Sequence, residues 1–276
     1  MAEQQSGPIG IFDSGYGGLT VFKEIVKELP SYDYIYLGDN ARVPYGTRSF
    51  ETVYKYTWEC VQQLFSMGCS LVVLACNTAS AKALRSIQQN DLPGLTDVRK
   101  VLGVIRPTAE VVGNFSETGK VGILATPGTV ASNSYVIEIG HFFPQLKVYQ
   151  EPCPMWVPLV ENNEIDNPAA DYFVKKNLDH LFSLNADIDT LVLACTHYPL
   201  LLNKIQEFAG SGVKVISQGN LVAASLKDYL MRHPEVEMLC SKSASRAFFT
   251  TESPSDFDKK AALFLGQAVS SSQLLF

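Results

Sequence analysis

Two cysteines in this chain stand in closely matched settings. Residues 71–76 read LVVLAC and residues 190–195 read TLVLAC, so Cys76 and Cys195 each end an apolar run of strand length. Polar, capping-type residues follow both: Asn77 and Thr78 after the first, Thr196 and His197 after the second. A thiol between a buried strand and a helix start meets unpaired amide N–H groups and the positive end of the helix dipole, which favour an anion. Both thiolates are therefore expected to form below the free-thiol value of ~8.5. His197, two residues beyond Cys195, adds a group that can supply or remove a proton. One cysteine at a strand end is most simply a small buried hydrophobe. Two at equivalent places, each leading into polar side chains, point to paired proton transfer.

Other residues could serve the same chemistry. Asp13 and Ser14 open the loop DSGYGG (residues 13–18), whose glycines let backbone approach a small ligand closely. The loop lacks the terminal Gly-Lys-Ser/Thr of a P-loop and the spacing of a dinucleotide fingerprint, and its acidic residue would repel phosphate. Asp13 suits an ammonium group or a proton relay beside a thiol; a helix cap is its simpler role. Tyr45 and Gly46 lie in a turn whose backbone N–H groups could hold a carboxylate. Glu161, in VPLVENNE, is a lone carboxylate that by itself reads as a solvated surface residue. Cys195, His197 and Cys153 raise the question of zinc. No C-x-x-C or H-x-x-x-H pair is present, so no metal is expected.

The elements that must position these groups alternate between apolar runs and amphipathic stretches. Strands are predicted at Ile9–Phe12, Tyr34–Leu37, Leu71–Ala75, Val101–Ile105, Val121–Leu124, Leu191–Ala194 and Val213–Ile216. Helices are predicted from about Leu19 to Leu29, Phe50 to Met67, Thr78 onward, Leu221 to Leu230, and Ala261 to Val269. This alternation implies an α/β fold with parallel sheets and helical crossovers. The two cysteine runs align at an offset of 119 residues, from Cys76 to Cys195. PIGIFDSG (8–15) and KVGILATP (120–127) align at 112, placing Gly10 opposite Gly122 and Ser14 opposite Thr126. Two motifs matching in the same order predict two pseudosymmetric α/β domains. Because open α/β sheets bind ligands beyond the carboxyl ends of their strands, Cys76 and Cys195 would enter one cleft from opposite sides.

At 276 residues, 46% of them hydrophobic and 18% charged, the chain has an ordinary globular balance. A net charge of −6 without a Lys/Arg run argues against nucleic-acid binding and against a polybasic membrane anchor. The start, MAEQQSGP, lacks the basic residues and apolar stretch of a signal peptide. No apolar run approaches the roughly 20 residues needed to span a bilayer. A cytoplasmic protein with six reduced cysteines is expected.

Taken together, IFDSGYGGLTV, GDNARVPYGTR, VVLACNTASA, ATPGT, VPLVE and LVLACTHYPLL resemble the glutamate racemases of the aspartate/glutamate racemase superfamily, in the family's order across residues 9–202. The resemblance implies glutamate racemisation without pyridoxal phosphate or any other cofactor, Cys76 and Cys195 serving opposite faces of the substrate. It makes Asp13 the acidic partner of the first thiol, and Glu161 and His197 partners of the second. Asp13, Ser14, Tyr45, Gly46, Asn77, Thr78, Thr196 and His197 fall on substrate-contact positions. It further implies a first domain of residues 1–103 with 216–276, a second of 104–215, a homodimer, and D-glutamate supply for peptidoglycan. Asn40, Val43, Thr108 and the turn Ser217–Asn220 depart from the family pattern. With eight residues before the first strand, regulation through a long N-terminal extension is not expected. An aspartate racemase, a non-catalytic amino-acid-binding module and a structural oligomer with inert cysteines are the competing readings.

Overall fold

The computed structural model describes residues 5–275. Ten strands follow in chain order: β1 (Ile9–Asp13), β2 (Tyr34–Gly38), β3 (Leu71–Leu74), β4 (Lys100–Gly103), β5 (Lys120–Ala125), β6 (Lys147–Pro152), β7 (Thr190–Ala194), β8 (Lys214–Ile216), β9 (Arg246–Thr250) and β10 (Ser271–Gln273). They form two sheets, ordered β10-β9-β2-β1-β3-β4 and β6-β5-β7-β8. Every strand pairing in both is parallel. Parallel strands buried on both faces require near-continuous apolar sequence, which β1, β3 and β7 have.

The duplication is visible in the pairing. The order β2-β1-β3-β4 recurs as β6-β5-β7-β8. Gly10 lies opposite Val72 in the first sheet, and Gly122 opposite Leu191 in the second. Those are the residues that the separate offsets of 112 and 119 equate, so both sequence alignments describe one spatial register. The lobes also share a core: a single apolar cluster takes Ile9, Ile11 and Tyr36 from the first sheet and Leu124, Leu191 and Leu193 from the second. Burial of that kind holds the lobes together through their packed faces.

Helices form where sequence supplies both a stripe and a stop. The helix Phe50–Ser66 begins at Ser49, whose Oγ accepts from the Thr52 N–H at 3.2 Å, as a serine cap does. It buries Val53, Thr57, Cys60, Val61, Leu64 and Phe65, at the spacings of three and four that make one apolar face. Several boundaries differ from the sequence prediction. Strand β4 stops at Gly103, and a helix occupies Ile105–Ala109, because Pro107 falls in a first turn that needs no N–H donor there. The last helix spans Pro254–Leu265 and ends at Gly266, which has a φ of 78°. That left-handed conformation suits glycine. Strands β6, β9 and β10 were not predicted. Among the described residues no helix is long and apolar enough to cross a membrane.

Candidate active site

Cys76 follows β3 and caps the helix Asn77–Lys82, its Sγ accepting from the Ala79 N–H at 3.5 Å. Ser14 Oγ lies 3.4 Å from the same sulfur. Asp13, at the end of the adjacent β1, is buried; its Oδ2 accepts from the Gly15 N–H at 2.9 Å. Its Oδ1 is buried without a hydrogen-bond partner among the described residues. Burial and then the Asp13 charge push the Cys76 thiol up to about 12, against the pull of Ser14 and the Ala79 amide. The expectation of a depressed value therefore fails for Cys76. A helix N-terminus contributes about 0.3–2 kcal/mol to an anion, roughly 0.2–1.5 units of pKa, whereas full burial can shift a group by roughly 3–5 units. Desolvation wins. Burial likewise raises Asp13, while the His197 charge and the Gly15 and Gly18 amides work against it.

The second thiol is built differently. Beyond Cys195 comes a 3-10 turn, Tyr198–Leu201, with Pro199 in it, before the α-helix Leu202–Ala209. The expected helix start at this sulfur is thus a short turn with fewer aligned peptide dipoles. His197 takes its place: Nδ1 lies 3.9 Å from Cys195 Sγ, and Nε2 lies 3.0 Å from Glu161 Oε1. Burial opposes charge on this imidazole, but its hydrogen bonds to Cys195 and Glu161 and the attraction of both groups prevail, raising it to about 10. At neutral pH the ring is an imidazolium. Glu161 ends the helix Trp156–Glu161 and sits at the ring, not in open solvent as its isolated sequence context suggests.

The lobes bring the two sulfurs together. They interact electrostatically, charge on Cys195 raising Cys76, and Asp13 of the first lobe senses His197 and Glu161 of the second. The DSGYGG loop lies against the second cysteine loop so closely that a Cβ on Gly17 would stand 2.3 Å from Thr196 Oγ1 and 2.4 Å from His197 Nδ1. Only glycine permits that approach. Hydrogen bonds that cross between the lobes here include Gly128 N–H to Gly46 O at 2.7 Å, Thr20 Oγ1–H to Thr196 O at 2.9 Å, and Thr78 Oγ1 with Thr126 Oγ1 at 2.9 Å.

Most of the sequence-predicted residues meet in this region. Tyr45 turns its side chain into the core and donates its hydroxyl to Asp39. At Gly46 the turn's carbonyl accepts from the Gly128 N–H of the second lobe. Thr126 was missed, although the duplication set it opposite Ser14. It caps the helix Pro127–Ser132 and shares its hydroxyl with Thr78 and Thr129. Cys153 is wholly buried, with its Sγ on Glu151 O. Among the described residues no group of three or more His, Cys, Asp or Glu side chains could hold a metal ion.

The geometry has counterparts in known proteins. The Asp/Glu/Hydantoin racemase family model matches residues 9–226. A glutamate racemase of Persephonella marina is 41% identical over 265 residues, covering 95% of this chain and 94% of the relative. The crystal structure of a glutamate racemase isoform from Bacillus anthracis superposes with a TM-score of 0.88 at 36% identity, over 99% of this chain and 98% of that one. A glutamate racemase from Francisella tularensis, crystallised with D-glutamate, gives a TM-score of 0.85 at 30% identity, over 99% and 97% of the two chains.

Proposed function

The chain belongs to the Asp/Glu/hydantoin racemase family, and from that premise we propose that it interconverts L- and D-glutamate by a cofactor-independent two-base reaction at Cys76 and Cys195. The observation that carries this reading is the pair of thiols at equivalent ends of duplicated strands, near enough that the charge on Cys195 is felt at Cys76. Racemisation removes a proton from one face of Cα and returns one to the opposite face. A single rigid base cannot reach both. In the proposed cycle one sulfur starts as thiolate and takes the α-proton, the other starts as thiol and gives one, and the two exchange states with each turnover.

The surroundings favour a particular starting state. Cys76, raised to about 12, rests as the thiol. Cys195 lies beside His197, whose imidazole is held toward its charged form. Asp13 and His197 are the proton partners of their sulfurs, and Glu161 holds the ring. The α-proton is far less acidic than a thiol, so the carbanionic transition state needs stabilisation from preorganised donors shielded from water. Ser14, Asn77, Thr78, Thr126, Thr196 and the backbone at Tyr45–Gly46 are assigned to the substrate's carboxylate and amino groups.

The family supports a wider setting: a homodimer in the cytoplasm, supplying D-glutamate for peptidoglycan, with residues 1–103 and 216–276 as one domain and 104–215 as the other. The test is incubation with each enantiomer in deuterium oxide without added cofactor, followed by circular dichroism and NMR. Both should converge on the racemate, with deuterium at Cα of newly formed product. Binding without exchange, or turnover of aspartate in preference to glutamate, overturns the assignment.

A further inference from the structure

Behind the Cys76 loop lies a buried polar cluster drawn from four separate stretches. Gln218 begins the helix Gly219–Arg232 but does not cap it. Its amide is buried, and the two hydrogens of Nε2 are shared among Tyr135 Oη at 2.6 Å, Thr108 Oγ1 at 2.8 Å and Val104 O at 3.2 Å. Its Oε1 accepts from Asn77 Nδ2–H at 2.7 Å, and Tyr135 O–H donates to Asn77 Oδ1 at 2.6 Å. The cluster is a closed ring of Gln218, Asn77 and Tyr135, joining the residue after Cys76 to the second lobe. Thr108 and the Ser217–Asn220 turn, two of the sequence's departures, meet in it.

The ring has one possible polarity. The Val104 carbonyl can only accept, so the amide nitrogen of Gln218 must face it. Oε1 must then face Asn77, which obliges Asn77 to present its nitrogen to Gln218 and its oxygen to Tyr135. Reversal would set oxygen against oxygen in a buried site, where an unsatisfied polar group is costly. Asn77 is left with one N–H and one lone pair of fixed placement beside Cys76.

We propose that Gln218 is a positioning residue that fixes the orientation of the Asn77 amide, and with it the donor Asn77 offers to the bound amino acid. This rests on the racemase reading, in which Asn77 touches substrate. The experiment is a double-mutant cycle on glutamate turnover with Gln218→Met, Tyr135→Phe and Asn77→Ala, the folded state of each variant checked by thermal melting. Gln218→Met should raise KM about tenfold while lowering kcat much less, and Tyr135→Phe should act the same way by about threefold. Neither should change kcat/KM by more than about twofold once Asn77 is alanine. Equal losses in both backgrounds, or a fall in kcat with KM unchanged, overturn the proposal while leaving the racemase reading intact. If Gln218→Met does not fold, Tyr135→Phe decides by the same criteria. Absence of glutamate turnover by the native chain overturns both together.

Discussion

The two sulfurs occupy the same place in a duplicated lobe, yet their neighbours differ in charge. Cys76 caps an α-helix of its own and lies beside Ser14 and the buried Asp13 carboxyl. Cys195 precedes a 3-10 turn and lies beside an imidazolium fastened by Glu161. Duplication has kept the strand, the thiol and the register while the partners have diverged. A pair of identical environments would ionise identically, whereas a two-base exchange needs one thiol and one thiolate at the start. In the proposed cycle, asymmetric partners would decide which sulfur holds the proton at the start, without asymmetry of the fold.

The most direct way to break this comparison is to remove either sulfur. Cys76→Ala and Cys195→Ala should each slow interconversion by about 10³-fold or more, since a positioned acid or base contributes roughly 10²–10⁴. Near-native turnover by either variant from both enantiomers would falsify the two-thiol scheme. Exchanging the partners sharpens the contrast. Asp13→Asn and His197→Asn should each lower kcat/KM by about 10²-fold. An equilibrium constant of one forces kcat/KM to be equal for the two enantiomers, so rates cannot reveal which sulfur is affected. Isotope effects can. In His197→Asn the α-deuterium effect should grow for the enantiomer whose proton Cys195 removes, and in Asp13→Asn for its mirror image. The same enantiomer responding in both variants would mean that these partners do not serve separate thiols.

Smaller effects follow from the ion pair at the second sulfur. The His197 cation persists until the pH rises through about 10, so kcat/KM should fall on that alkaline limb. Glu161→Gln removes a group that raises His197 and should move the limb about one unit lower; an unmoved limb would assign it to another group. Stability carries the same sign. A histidine raised from 6.5 to about 10 stabilises the fold fully below the lower value, progressively less above it, and not at all beyond the upper one. The difference in melting temperature between the native protein and His197→Asn should therefore narrow between pH 6.5 and about 10. A constant difference would show that the pair contributes only packing.

Legibility in the sequence followed the physics of each feature. The buried central strands were readable because both faces demand apolar residues, and the duplication because it preserved their glycines and cysteines. Strand β6, KVYQEP, is a partly exposed edge with mixed polarity, and β10 is polar SSQ at the other sheet's edge. Neither edge carries a run that pattern alone detects. Strand β9, RAFFT, opens on a charged residue and follows the polar stretch SKSAS. Glu161 had meaning only through its distant partner His197. Thr126 was within reach, since Ser14 already marked its position in the first lobe. The Cys76 shift was not, because its sign depends on how completely the folded protein removes that thiol from water.

Among the hydrogen bonds that join the lobes beside the two thiols are those at Gly46–Gly128, Thr20–Thr196 and Thr78–Thr126. Any hinging of the lobes at this point has to part these bonds. Each has a net worth of about 0.5–1.5 kcal/mol, a sum that thermal motion overcomes on the microsecond-to-millisecond scale of domain hinging. Contacts of that strength can part and re-form as the lobes hinge, which under the proposed cycle would admit an amino acid and then keep bulk water from its carbanion.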